Sequence, residues 1–402
     1  MKIIKDPVHG YVEVDALALR LLDSQRVQRL RHVSQLGFAN LVYPGANHTR
    51  FEHSLGTMHL ASMISRQLGL YQNEIQIVTA AALLHDIGHG PFSHVIEPVM
   101  EACTGRRHHE IADLVRAGPV AGILEGEGIS PAEVYAIISG RHRLAGIIHG
   151  SLDVDRMDYL MRDAHYTGAP YGTVDAQRLI RSILLTDSGI GIEESGINAA
   201  ESLLIARTLM RPAVYFHHVS RIATSMFVLA ATEHLQHVPG ADAAAMMRMD
   251  DAACMQTLLA SPHPVTRSLA EGVYNRRLYK RALYVGEGRV NLTSAVSGLD
   301  LAKERSLARE IAGAAGVEEW QVLVDIPPLP GEMSMEVRVR SSHTMVEIEE
   351  VSPLINTLND TRRQQWRLGV YTLPEHRTTV EAAAIEVLRV KKPTKQDKLV
   401  FT

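Results

Sequence analysis

Six residues between Arg50 and His94 have types and spacing that can do chemistry. Arg50 and His53 stand three apart in RFEHSLG, and His85, Asp86, His89 and His94 follow in HDIGHGPFSH. A further carboxylate, Asp155, lies in SLDVDRMDYLMRD. Imidazole nitrogen combined with carboxylate oxygen suits iron, manganese, zinc or nickel, whereas all-oxygen sites suit magnesium. Taken alone, a His-Asp pair at a helix end needs no metal, because imidazolium interacts favourably with the dipole there. Its company changes the reading. His53, His85, Asp86 and Asp155 together offer four ligands from three helices and leave positions open for water and substrate. A carboxylate inside a helical core is costly without such a partner. A centre of this kind lowers the pKa of water towards ~7, which provides a nucleophile for phosphate-ester cleavage.

The remaining steps of that chemistry also have candidates. An alkoxide leaving group calls for a cationic acid. His89, one helical turn past His85, and His109, beside Glu110 in RRHHEIA, are the imidazoles placed to serve. Phosphate charge calls for guanidinium forks, and Arg50, Arg156, Arg162, Arg207, Arg211 and Arg221 are the candidates, with surface or structural pairing as the other reading of Arg162, Arg207 and Arg221. Asp155, Tyr159 and Asp163 recur every four residues and form one helical stripe. Such a stripe is usually a solvated face; a ligand as its first member turns it towards the cavity.

The elements that must position these groups can be read in order. Residues 3–14 form a strand pair around Asp6-Pro7 and His9-Gly10. Asp15 and Ser24 cap two helices, the second carrying Val27, Leu30 and Val33 and ending at Gly37. A loop over 38–48 precedes a helix capped by Asn47 or Thr49 and closed by Gly69. Asn73 opens an apolar helix, IQIVTAAALLHDIG, expected to be the buried centre of the fold. Short helices alternate with glycine turns over 95–150, and Ser151 opens a helix to about His165. ILLTDSGIGIEESG reads as a hairpin. Asn198–His237 reads as one long helix that Pro212 kinks or breaks. Residues 240–285 read as helical. LYVG, WQVLVDIP, MEVRVRSS, MVEIEEV and WRLGVYTL read as strands, with helices near 353–366 and 378–388. The expected blocks are a catalytic domain over 1–237, a helical connector over 238–280 and a smaller α+β lobe over 281–402, in a mainly α chain. The tail RVKKPTKQDK is basic and expected to be mobile.

Composition narrows the classes. The 402 residues are 46% hydrophobic and 21% charged, with a formal net charge of -4. Bulk charge therefore excludes general polyanion binding, while a local basic pocket remains compatible. Aromatic content of 5% offers no stacking platform for single strands. Two cysteines, Cys103 and Cys254, make no disulfide framework and fit a reducing cytoplasm. No apolar run reaches the ~18 residues of a membrane helix, so no membrane partner is expected. Of the 20 histidines, thirteen precede Tyr166, which locates the chemistry in the first half.

The longer strings DPVHGYVEV, QRLRHVSQLG, YPGANHTRFEHSLG, HDIGHGPFSH, HE and DVDRMDYLMRDAHYTG, in this order, resemble the HD-domain metal phosphohydrolases. Within them the likeness is to the deoxynucleoside triphosphate triphosphohydrolases, strong over residues 1–230 and weaker beyond. The resemblance implies a helical HD-domain core, here without the SAM domain that vertebrate members carry. It implies His53, His85, Asp86 and Asp155 as metal ligands and His89, His109 and Glu110 as catalytic residues. Arg50, His94, Arg156 and Arg211 match phosphate-contact positions. Gln35, Leu36, Tyr159 and Asp163 match sugar-reading positions, where a ring against C2 excludes a 2′-hydroxyl, and Tyr215 matches a base or sugar contact. Lys2, Asp23, Gln28, Arg31 and Arg178 match a site for an activating guanine nucleotide between subunits, which implies a homo-oligomer, dimer or tetramer. Magnesium accompanying the nucleotide fits this picture. Three departures bear on it: Arg156 replaces a lysine, Lys5 an asparagine, and Val219 an aromatic residue. The expected activity is cleavage of a dNTP to deoxynucleoside and triphosphate. The alternatives are another phosphohydrolase of the same fold, or a nucleotide sensor with little turnover.

Overall fold

The computed structural model describes residues 2–186, 189–290, 301–329, 337–341 and 344–391. The basic tail beyond residue 391, the centre of the expected hairpin at 187–188 and the start of MEVRVRSS lie outside the described residues. The chain is mainly α. It divides into two compact units: Met1–His217 with Asp242–Met255 and Met333–Leu358, and His218–Ala241 with Gln256–Glu332 and Asn359–Thr402. The units interleave along the chain, whereas the blocks expected from sequence were consecutive.

Three helices of the first unit carry the candidate ligands. Arg50–Gln67 begins where the Glu52 carboxylate accepts the Thr49 N–H at 2.7 Å, which satisfies one of the otherwise unpaired amides of the first turn. Gln72–Leu84 is buried from Ile77 onward on nearly every face. Having little polar face to offer water, it is stable only inside other helices, and it packs against Arg50–Gln67. Val154–Thr167 is capped by Asp153, whose carboxylate accepts the Arg156 N–H at 2.8 Å, and closes at Gly168 with φ 72°. It too packs on Arg50–Gln67. Leu55, Leu83, Leu84, Ile148, Leu152 and Leu160 belong to the core that joins these helices.

Strands β1 (Lys2–Asp6) and β2 (Gly10–Val14) form an antiparallel hairpin in which Asp6 faces Gly10. A four-stranded sheet in the first unit runs β3 (Ile183–Thr186), β4 (Gly189–Glu193), β7 (Arg338–Ser341), β8 (Thr344–Glu347), with β4 and β7 parallel. In the second unit β9 (Arg367–Thr372) lies between β5 (Lys280–Gly286) and β6 (Val322–Asp325), both antiparallel to it. That sheet packs against helices Leu301–Ala315 and Arg377–Val387 around Ile311, Leu368 and Val380.

Several boundaries differ from the sequence reading for identifiable reasons. The helix expected to reach Gly37 stops at His32. Beyond it the backbone turns extended, and the Val33 carbonyl and Gln35 N–H bond to Arg50 and His48 instead. The helix expected from Ser151 starts at Val154, because Asp153 rather than Ser151 caps it. The segment expected as one helix over 198–237 is Ile197–Met210, a π turn over Arg211–Tyr215 and His218–His237. Pro212 lacks the N–H an α-helix would use, and the wider turn absorbs the fault. Residues 240–285 hold three helices that end at Tyr274, after which β5 begins. MVEIEEV is strand only to Glu347, where Ile348–Val351 turns helical.

Candidate metal centre

His53 lies one turn into its helix, His85 caps the end of Gln72–Leu84, Asp86 follows it, and Asp155 stands in the first turn of Val154–Thr167. The fold brings these four side chains to one point. Asp155 Oδ1 is 3.0 Å from His53 Nε2 and 3.8 Å from His85 Nε2. Asp86 reaches His53 Nε2 at 3.6 Å through Oδ2 and His85 Nε2 at 3.3 Å through Oδ1. Both imidazoles and Asp86 are buried, while Asp155 keeps 31% side-chain exposure and forms the open edge.

The far nitrogen of each imidazole is anchored. His85 Nδ1 bonds the Ala82 carbonyl at 2.7 Å, and His53 Nδ1 bonds the Asp158 carboxylate at 2.8 Å. Oxygens of these kinds only accept, so both Nδ1 atoms carry the proton and both Nε2 lone pairs face the centre. Neither Nε2 has a hydrogen-bond partner, although both are buried. Two orphaned lone pairs beside two carboxylates are a poor arrangement for a core and a good one for a divalent transition metal. The charges agree. Burial pulls His53 down, but in the metal-free chain Asp155 and Asp158 outweigh it and raise the imidazole to about 10, so a bound metal would displace a proton from Nε2. Burial is likewise overcome at Asp86, where Arg50, His85 and His89 hold the carboxyl well below its ordinary range. The cluster is built to attract a cation.

Arg50 is committed to this centre. Its Nη1 donates to Asp86 Oδ2 at 2.7 Å and its Nε to Ser93 Oγ at 2.8 Å, and it is buried. Ser93 and Phe92 occupy the left-handed region, with φ of 58° and 56°. Phe92 is fixed there by its N–H on Asp251 Oδ1 at 2.6 Å. Arg29, from a different helix, donates to the His89 carbonyl and to those of Met247, Arg248 and Met249. The loop that carries His89 and His94 is therefore rigidly held, at a backbone cost typical of functional loops.

His89 lies behind Asp86, its Nε2 3.3 Å from Oδ1. Burial and then Arg50 push its pKa well below the ordinary value. His108, which the sequence reading passed over, stacks on His89 at 4.0 Å and 15°. Glu97 accepts from both His94 and His108, and these two partners depress its carboxyl despite burial. His89, His94 and His108 bring ring nitrogens within 4.8 Å of one another. Two of the three, His89 and His108, are stacked and aim their lone pairs along near-parallel lines, which suits a shared ion poorly, while His94 stands edge-on to both. The same stacking holds for Glu233, His237 and His263 in the second unit, where the two rings stack at 7°. His109 and Glu110 are exposed, with the Glu110 carboxylate accepting the Arg107 N–H at 3.4 Å. His149 was also passed over; its ring lies 6.3 Å from His85, and burial, then His85, lower it to about 4.

The stripe of Val154–Thr167 continues from the ligands. Asp163 accepts from His48 and from the Tyr215 hydroxyl, both at 2.8 Å, and the Tyr159 ring meets Tyr215 edge-on at 6.1 Å. Burial, then Asp163, raises the Tyr215 phenol well above its ordinary value, so it stays a donor. Gln35 is buried with its carbonyl oxygen unpaired, and Leu36 is half-buried beside it. Arg156 is tied to the Asp153 carboxylate and the Gly150 carbonyl, and Arg211 lies over the Phe216 ring at 4.4 Å. Arg162 and Arg221 are structural, paired with Asp158 and with Asp325. Among the proposed activator residues, Lys2, Asp23, Arg31 and Arg178 are exposed. Gln28 is tied to the Leu22 carbonyl and accepts from Arg31.

Comparison with known proteins agrees with this geometry. The model of the HD domain matches residues 50–163, and that of the HD associated region matches residues 174–399. The uncharacterised protein MJ1154 of Methanocaldococcus jannaschii is 35% identical over 93% of this chain and 80% of its own length. The deoxynucleoside triphosphate triphosphohydrolase SAMHD1 of Homo sapiens is 27% identical, over 81% of this chain and 60% of that protein. Its Dictyostelium discoideum homologue is 31% identical over 69% and 59%. The chain thus spans about three fifths of either SAMHD1. Among solved structures, a hypothetical protein from Aquifex aeolicus superposes with a TM-score of 0.76 at 30% identity, covering 95% of this chain and 99% of that one. A phosphohydrolase from Bacteroides thetaiotaomicron gives 0.73 at 26%, covering 92% and 99%.

Proposed function

Because this chain belongs to the family in which an HD domain is followed by an HD associated region, we propose that it hydrolyses deoxynucleoside triphosphates to deoxynucleoside and triphosphate. The observation that carries the reading is the pair of buried, unpartnered Nε2 atoms of His53 and His85 facing Asp86 and Asp155. A divalent transition metal held there supplies Lewis acidity towards phosphoryl oxygen and brings the pKa of water towards ~7.

The chain's own residues supply the rest. Arg50 keeps Asp86 ionised, and Asp158 and the Ala82 carbonyl keep the imidazoles in the ligating tautomer. His89 steadies Asp86 from behind. Water adds to the α-phosphorus, the bond from that phosphorus to the 5′-oxygen breaks, and the 5′-oxygen takes a proton. His109, exposed and beside Glu110, is the acid for that proton. Arg156, Arg211 and His94 meet the phosphates. Gln35, Leu36, Tyr159 and Asp163 read the sugar, with Tyr215 fixed by Asp163 against base or sugar. The relatives named as dNTP triphosphohydrolases support this substrate class.

Regulation by a guanine nucleotide at Lys2, Asp23, Gln28, Arg31 and Arg178, with assembly into a homo-oligomer, belongs to the same proposal. The exposure of four of the five supports it.

The test is incubation of the metal-loaded chain with each of the four dNTPs, with and without GTP, followed by ion chromatography. Triphosphate and deoxynucleoside in equal amounts are expected. Release of orthophosphate or turnover of monophosphate esters alone would assign another phosphohydrolase activity. Thermal stabilisation by dNTP without product would assign a sensor.

A further inference from the structure

The DPVHG turn between β1 and β2 takes no part in the chemistry above, yet it reaches the back of His53. Asp158 is fully buried and accepts four hydrogen bonds. Its Oδ2 takes His53 Nδ1 at 2.8 Å and Arg162 Nε at 2.9 Å. Its Oδ1 takes His9 Nε2 at 2.6 Å and Arg162 Nη2 at 2.9 Å. Arg162, also fully buried, extends Nη1 to Asp6 Oδ2 at 2.8 Å. Asp6 Oδ1 in turn accepts the N–H groups of Val8 and His9, at 2.9 and 2.8 Å, and so fixes the turn that aims His9.

Burying two carboxylates and a guanidinium this completely adds little stability compared with apolar side chains of the same volume. Here the arrangement has a direction: it ends on a ligand. A carboxylate on the far nitrogen of a metal-binding histidine sets its tautomer and ring orientation and raises its basicity. Room for the carboxylate is also built in. Gly56, one turn beyond His53 on the same helix, faces the pair. A Cβ there would stand 1.8 Å from Asp158 Oδ1 and 2.5 Å from Arg162 Nη2. Only glycine leaves the slot open.

We propose that Asp158, gripped by Arg162 and His9, which Asp6 holds in place in turn, and seated in the Gly56 slot, is the positioning residue of the metal centre. It locks His53 so that Nε2 faces the ion, and it makes the N-terminal turn part of that centre. The inference rests on the metal reading above.

The test uses the full chain, stripped by a chelator and titrated with Co²⁺. Affinity is read by competition with a chromophoric chelator, and geometry by the ligand-field absorption. Asp158→Asn is expected to weaken Co²⁺ binding by about 10- to 100-fold and to shift the absorption band. Asp6→Asn and Gly56→Ala are expected to move both readouts the same way by less. Val12→Ala, buried in the same hairpin, is expected to lower the melting temperature and leave both unchanged. Asp158→Asn preserves the shape of the buried group and Asp6 does not touch His53, so folded variants are at hand even if Gly56→Ala fails to fold. Variants that melt lower but bind Co²⁺ with unchanged affinity and spectrum would overturn the positioning role. A wild-type chain that takes up no Co²⁺, or loses none in Asp155→Ala, would overturn the metal reading itself.

Discussion

At the scale of single residues, the proposed reaction assigns the leaving-group proton to His109, which is exposed, and leaves His89 buried beside Asp86. His109→Ala should therefore retain the metal and lose rate by about 10²- to 10⁴-fold, read as kcat against metal content. Asp155→Ala should lose the metal itself. The pKa of His53 gives a signed prediction. It is raised to about 10 in the folded, metal-free chain. Its contribution to stability is thus complete below pH ~6.5 and lost as pH rises through about 10. Metal-free protein should lose melting temperature across that window, and metal-loaded protein should lose less, because the ion has displaced the proton. The convergence of His53, His85 and Asp86 was foreshadowed by the His85-Asp86 pair and by the helical face Arg50 shares with His53, whereas Asp155 entered chiefly through the resemblance. Asp158 and His9 were not legible as a pair, since 149 residues separate them and no local pattern encodes the contact. His108 was obscured by its neighbour: HHE reads as one patch, and only the fold turns one imidazole inward and leaves the other out.

At the scale of elements, the site depends on helices that cannot stand alone. Gln72–Leu84 delivers His85 and Asp86 and is held almost wholly by burial. Leu84→Ala, at a fully buried position, should cost about 2–5 kcal/mol of unfolding free energy, measured by denaturant titration. The apolar run announced this helix plainly. Ends were less legible, because tertiary bonds override local signals. Val33 bonds Arg50 rather than continuing its helix, and Asp153 outcompetes Ser151 as a cap. The fault at Pro212 was foreseeable from chemistry, but its resolution as a π turn was not.

At the scale of the whole molecule, the mainly α character and the α+β sequence pattern of the second half could be read from periodicity alone. The division into units could not, since residues 242–255 and 333–358 return to the first unit after long excursions. One such return supplies Asp251, which fixes Phe92 and Ser34 beside the site. Function should follow from the loaded molecule. Chelation should abolish turnover, and Mn²⁺, Fe²⁺ or Co²⁺ should restore it where Mg²⁺ alone does not, given two imidazole ligands. Addition of GTP should shift sedimentation towards a larger species. The most direct measurement is an anomalous difference map from crystals of the full chain loaded with Mn²⁺. A single strong peak about 2.0–2.3 Å from His53 Nε2, His85 Nε2 and oxygens of Asp86 and Asp155 is predicted. A map with no peak at that point, or with density only among His89, His94 and His108, would contradict it.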